Sequence, residues 1–169
     1  MRKTNSCEIV LRPIGRIHTP FSAATGTPIQ SSLAEGTEGT VEVFPEFAQG
    51  LQDLDGFERL WLVYYFDRAL APQLIVRPYL DKVERGVFAT RSPSRPNHIG
   101  ISAVRLLGVD GNRLRIAEVD ILDGTPLLDI KPYITDFDSF DAVRVGWYLQ
   151  VPMKGVLADD RFESKERKR

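Results

Sequence analysis

Apolar and polar residues alternate along much of this chain with a period of two, the spacing of a strand with one buried face. In "GTVEVF" (39–44), Val41 and Val43 fall on one face and Glu42 on the other. "FERLWLVYYFD" (57–67) is too continuously apolar and aromatic for that pattern, which predicts a central strand buried on both faces. "EIVLRPIGRIH" (8–18) is β-branched but broken by Pro13 and Gly15, so it predicts a bent or edge strand. "GVFAT" (86–90) predicts another short strand. The strongest hairpin signal is "ISAVRLLGV", then Asp110-Gly111, then "NRLRIAEVDIL", because Asp-Gly supplies the positive φ of a type I′ turn. Helical signals are few: "PEFAQGLQDL" (45–54), with Pro45 suited to a first turn, and one further turn in "FDSFDAVR". The expected fold is all-β, a small closed or nearly closed β-barrel with one or two short helices. One domain is expected over residues 1–158, followed by a charged, frayed tail over 159–169.

Composition narrows the class. At 169 residues, 43% apolar and 27% charged, the chain has the make-up of a single folded domain. No apolar run approaches the roughly 20 residues of a membrane span, and "MRKTNSCEIV" has no secretory leader pattern, so a cytoplasmic protein is expected. The lone Cys7 has no partner for a disulfide or a thiolate metal site, and two histidines are too few for a His-rich one; no metal is expected. The net charge of −1 hides a segregation. Residues 77–105 hold six basic against two acidic side chains, whereas 118–141 hold seven acidic against Lys131 alone. A basic surface for a polyanion beside an acidic one for a cation is one reading; neutralisation across neighbouring strands is the other.

The familiar motifs are missing: no G-x-G-x-x-G, P-loop, G-x-S-x-G or H-E-x-x-H occurs. What remains are polar stretches at predicted strand ends, among them "TPIQ" (27–30), "FDRA" (66–69), "TRSPSRPNHIG" (90–100) and "VDILDGTPLLDIKPY" (119–133). Strand ends can converge on one rim of a barrel, where function tends to reside. Pro93 and Pro96 restrict their neighbours, so Arg91, Arg95 and Asn97 would be presented with little conformational entropy left to lose.

"GVFATRSPSRPNHIGISAVRL", "DILDGTPLLDIKPY", "IGRIHTPF" and "LDGFERLWLVYYF", in their order along the chain, resemble the TrmO-like (TsaA-like) family of S-adenosylmethionine-dependent tRNA methyltransferases. These act on adenosine 37, at N6 of N6-threonylcarbamoyladenosine in threonine-accepting tRNA. The resemblance runs from about residue 9 to 151 and matches the short form, without a C-terminal extension. It implies a non-Rossmann β-barrel, a homodimer, S-adenosylmethionine as cofactor and tRNA as partner. It also implies that Arg91 and Ile101 contact the cofactor, that Asp120, Ile121, Leu122 and Asp123 close over it, and that Pro28, Ile29, Gln30, Asp67 and Arg68 line its rim. His98 stands where the family usually has proline.

The residue chemistry is compatible with those roles. S-adenosylmethionine combines a sulfonium, a carboxylate, an ammonium and an adenine, so its site needs acids, a base and apolar walls together. Arg91 can hold a carboxylate in bidentate fashion, and Asp120 or Asp123 can receive the ammonium or ribose hydroxyls. Arg95, Asn97, His98 and Lys131 are the candidates for tRNA phosphate or for the modified base. No catalytic base is singled out. Each candidate has a plainer role: turn former for the Asp-Gly pair, loop hydrogen bonding for His98, barrel core for Trp61, Tyr64, Tyr65 and Phe66. The other functions in view are a barrel methylating a small molecule and a non-catalytic ligand- or RNA-binding module.

Overall fold

The computed structural model describes residues 8–151 and 157–164; Cys7 and the last five residues of the expected tail lie outside them. Among the described residues eight strands occur: β1 (Gly15–His18), β2 (Glu38–Val43), β3 (Arg59–Tyr65), β4 (Ile75–Val76), β5 (Arg85–Gly86), β6 (Ile99–Asp110), β7 (Arg113–Ala117) and β8 (Thr125–Pro132). The one α-helical turn, α1, is Thr135–Asp138, and the Pro45–Leu51 segment is a 3₁₀ helix. Six strands close into an antiparallel barrel in the order β1-β2-β7-β6-β3-β8, while β4 and β5 form a separate ribbon.

Alternation explains the barrel. On β3, Leu60, Leu62 and Tyr64 point inward and are buried, whereas Arg59, Trp61, Val63 and Tyr65 are half-buried on the outside. The expectation that 57–67 is buried on both faces is therefore corrected. A six-strand barrel has a single interior, and the outer aromatic residues find local cover instead, as in the Trp61–Tyr133 ring pair at 5.4 Å. The interior is filled by side chains such as Ile17, Val41, Leu62, Val104, Leu114 and Leu127, so it is a packed core and not a pore.

Other local expectations shift for identifiable reasons. Residues 8–14 form no strand, and β1 begins only after Pro13, which cannot donate to a ladder. "GVFAT" gives two residues to β5 and then a 3₁₀ turn, Val87–Ala89. Asp110 pairs with Arg113, so the hairpin turn is Gly111-Asn112; only Gly111 has a positive φ (57°), as in a type II′ turn and not a type I′ turn. The expected frayed tail is packed as far as Ser164: Phe162 is buried with Val76 and Val87 against Tyr79.

Antiparallel pairing places the C-terminal end of β3, the start of β6, the start of β8 and the segments after β1 and β7 at one rim. A register shift between Val63 and Tyr64 marks a bulge there, the kind of device that re-aims a side chain. Gly100 lies opposite Tyr64, and a Cβ at Gly100 would sit 2.3 Å from Tyr64 Cε2 and 2.8 Å from Phe66 Cζ. Gly100→Ala is accordingly expected to destabilise by about 1–3 kcal/mol through overpacking. A thermal melt beside wild type checks this, and an unchanged Tm would show that the two rings can move aside.

Candidate functional site

A cleft enclosing about 940 Å³, open mouth included, lies at that rim. One wall is the loop after β1, with Pro28, Ile29 and Gln30; the opposite wall is Ile99, Gly100 and Ile101 at the start of β6. Its floor is Tyr64 and Phe66, at the end of β3, beside the Asp120–Leu122 segment that leads into β8. Arg91, Pro93 and Arg95 of the proline-stiffened loop reach the mouth, where Arg91 Nη1 donates to Gln30 Oε1 at 2.5 Å. Apolar walls, acids and guanidinium groups thus meet in one concave space.

The floor carries a directed chain of hydrogen bonds. Ser102 Oγ donates to Asp120 Oδ1 at 2.7 Å. Having one proton, Ser102 must accept from the Tyr64 hydroxyl, 3.0 Å away. Burial raises the Tyr64 hydroxyl well above its ordinary pKa, helped by the nearby Asp120 charge, so Tyr64 keeps its proton. Burial also pushes the Asp120 carboxyl up to about 6, against the Ser102 hydrogen bond and the Arg91 charge, which pull it down. The result is a carboxylate that titrates near neutrality at the bottom of a cleft, an arrangement common at functional sites.

The outer wall is a strap made by residues 157–164. Leu157 bridges to Pro28, Ala158 N–H donates to Thr27 O, and Gly26 N–H donates to Ala158 O, both at 2.9 Å. Further along, Ala69 bridges to Glu163, and Glu163 ion-pairs with Arg68 while accepting from Ala24 N–H at 2.7 Å. Arg68 Nη1 also donates to Ser22 O at 2.6 Å.

A family model described as the tRNA-methyltransferase O N-terminal domain matches residues 16–139. The chain belongs to this family. It is 58% identical, over 82% of its length and 76% of the relative's, to a probable S-adenosyl-L-methionine-binding protein of Pyrococcus abyssi. It is 36% identical to a mouse tRNA (adenine(37)-N6)-methyltransferase, over 78% of this chain and 32% of that one. A crystal structure of TrmO from Pseudomonas aeruginosa superposes with a TM-score of 0.73 at 36% identity, covering 86% of this chain and 64% of that chain. The chain therefore spans about a third of the mouse relative and under two thirds of the crystallised one.

Within this TrmO N-terminal domain, the cleft gathers Pro28, Ile29, Gln30, Asp67, Arg68, Arg91, Ile101, Asp120, Ile121 and Leu122. Asp123 is turned elsewhere: its Oδ1 accepts from Thr19 N–H at 3.2 Å and lies 3.5 Å from His18 Nδ1. Of the tRNA candidates only Arg95 reaches the cleft. His98 is buried at φ 49°, with Nε2–H donating to Leu70 O at 3.1 Å and Nδ1 facing the Tyr65 hydroxyl, which is the plainer loop role. Lys131 pairs with Asp129 at 2.8 Å near the far end of β8, six residues beyond Thr125 and so about 20 Å along the strand. Asn97 is exposed outside the cleft lining. The two charged segments meet at Arg105–Glu118 (3.7 Å), a partial case of the cross-strand neutralisation reading.

Tyr64 as a polar group, Ser102 and Glu163 were not singled out from sequence. Ser102 had a signal: it is a hydroxyl at an inward phase of β6, between Gly100 and Val104. Glu163 had almost none beyond the apolar Phe162 next to it. Among the described residues, no helix is long and apolar enough to cross a membrane, and no group of three His, Cys, Asp or Glu is placed to hold a metal.

Proposed function

We propose that this chain is an S-adenosylmethionine-dependent methyltransferase that modifies N6 of N6-threonylcarbamoyladenosine at position 37 of threonine-accepting tRNA. Family membership and the names of the Pyrococcus and mouse relatives support the cofactor and the tRNA chemistry. The observation that carries the reading is the Asp120 carboxylate at the cleft floor, backed by Ser102 and Tyr64 and faced by Arg91.

The residues fit the cofactor's parts. Ile29, Ile101 and Leu122 offer apolar walls, Arg91 suits the cofactor carboxylate, and Asp67 and Asp120 are acids on the same surface. Bound S-adenosylmethionine supplies a methyl carbon already activated by its sulfonium sulfur. The acceptor is a urea-like nitrogen whose lone pair is delocalised, so it needs to lose its proton. Among the cleft carboxylates, Glu163 is committed to Arg68, and Asp120 is the one that titrates near neutrality, so Asp120 is assigned to take that proton. Ser102, with Tyr64 behind it, holds the carboxylate at Oδ1.

The homodimer implied by the resemblance belongs to this proposal. Phe137, Phe140 and Val143 are 68%, 81% and 91% exposed, an apolar surface suited to a second copy. Calorimetric titration with S-adenosylmethionine tests the cofactor site. Arg91→Ala is expected to weaken binding by about 10- to 100-fold, the worth of a charge-assisted hydrogen-bonded contact. Binding without methyl transfer to threonine tRNA would favour the module that only binds the cofactor, a reading the archaeal relatives' names leave room for. No binding by the folded protein would sink the proposal.

A further inference from the structure

A second concavity, enclosing about 1450 Å³ with its open mouth, adjoins the first and shares Ile29, Gln30, Arg91, Tyr79 and Phe162 with it. The Gln30–Arg91 hydrogen bond therefore lies on the boundary between the two spaces. The far side of this space is aromatic. Phe88, in the 3₁₀ turn after β5, is 76% exposed, and Trp147 and Tyr148 stand near it. Trp147 is held in place: its Nε1–H donates to Ala89 O at 2.8 Å and the Arg85 guanidinium sits 5.6 Å from its ring centroid. On the same lining, the buried Ser92 hydroxyl has no hydrogen-bond partner, the kind of group that a bound polar edge satisfies.

An exposed phenylalanine beside a fixed, cation-backed indole is the equipment with which proteins hold an unstacked nucleobase. We infer that the Phe88–Trp147–Tyr148 space is the subsite for the purine ring of the acceptor nucleotide, which stacks there and presents its N6 side to the cofactor cleft across Gln30 and Arg91. This deepens the function proposed above and rests on it. The two spaces share the Gln30–Arg91 wall, and Asp120 lines the cofactor cleft on the other side of it. Specificity for a single-stranded loop follows, because only an unpaired base can be splayed out onto an aromatic platform.

Two readouts test this, one of them independent of catalysis. The chain has two tryptophans, and Trp61 sits on the barrel exterior against Tyr133, so Trp147 can report on its own subsite. Titrating the full protein with N6-threonylcarbamoyladenosine nucleoside is expected to quench its fluorescence saturably, and Trp147→Phe is expected to remove that quenching. In methylation of an anticodon stem-loop RNA carrying the modified base, Phe88→Ala is expected to raise KM about tenfold while S-adenosylmethionine affinity stays within twofold. Phe88→Trp should restore KM, since any flat ring serves. The inference is overturned if Phe88→Ala methylates the stem-loop like wild type. It is also overturned if Trp147 fluorescence shifts with protein concentration alone, which would mean that a second copy covers the space. Saturable quenching in a protein that binds no S-adenosylmethionine would keep the subsite and remove the methyltransferase reading.

Discussion

Asp120→Asn is expected to lower kcat by about 10²-fold or more, the usual contribution of a positioned base, while leaving the barrel folded. The amide still accepts the Ser102 hydroxyl at Oδ1, so the Tyr64–Ser102 chain has no reason to rearrange. Wild-type kcat/KM should rise as pH passes through about 6, where the carboxyl of the free protein loses its proton, and then level off. The variant should show a low rate without that rise. Stability should move in the opposite sense. The Asp120 pKa is raised above its unfolded value, so the native protein holds a proton between roughly pH 4 and 6 that the unfolded chain releases. The contribution of this group to stability is thus fully present at low pH and lost as pH rises through 6. At pH 8 the neutral amide avoids the cost of a desolvated charge, and Asp120→Asn is expected to melt a few degrees higher than wild type. At pH 4 the two should melt together. A variant that loses activity and Tm in parallel at pH 8 would show Asp120 to be a structural residue instead. A pH-independent wild-type rate between 5 and 7, with chemistry limiting, would remove it as the proton acceptor.

What was legible in the sequence divides along physical lines. Period-two alternation is a local property that survives folding, so β2 and the β6–β7 hairpin were readable, whereas the inward phase of β3 was hidden by its continuous apolar run. Barrel closure came within reach because short strands with turn signals must hide their edges. Alternation does not say which outer residues will be half covered, since the cover for Trp61 is Tyr133, far along the chain. The turn slipped from Asp110-Gly111 to Gly111-Asn112 because Asp110 gained a ladder partner in Arg113, a pairing decided by register. Ten of the eleven residues named through family resemblance line one cleft; the Asp123 carboxylate faces Thr19 and His18 instead. His98 departs because the loop needs a positive φ and a buried hydrogen-bonding ring at that point. The strap was invisible, because "DDRFES" has the composition of a solvated terminus and takes its structure from partners far along the chain, in residues 24–28, 68–70 and 76–87.

Those contacts make Glu163 the residue whose loss should be felt most in the folded state. Its carboxylate is 9% exposed and the Arg68 side chain 16%, so the ion pair is largely removed from water. Glu163→Ala leaves a guanidinium there with only the Ser22 carbonyl and takes the acceptor from Ala24 N–H. Breaking one side of a buried pair costs about 3–5 kcal/mol, far more than a surface pair is worth. At about 2–4 °C per kcal/mol for a domain of this size, Tm should fall by roughly 6–20 °C. S-adenosylmethionine affinity should fall with it, because Ala24, Thr27, Arg68 and Glu163 all line the cofactor cleft. Glu163→Gln keeps an oxygen for Ala24 N–H and should recover part of the stability. The double variant Arg68→Met, Glu163→Leu separates the two consequences. It removes both charges and puts apolar volume in their place, so Tm should return close to wild type, as such replacements of buried pairs often do. Cofactor affinity should stay weak, since the wall then lacks its polar groups. A Glu163→Ala protein that melts within 2 °C of wild type would mean the strap is dispensable. A double variant that regains both Tm and affinity would mean that Arg68 and Glu163 serve the cleft only by holding its wall in place.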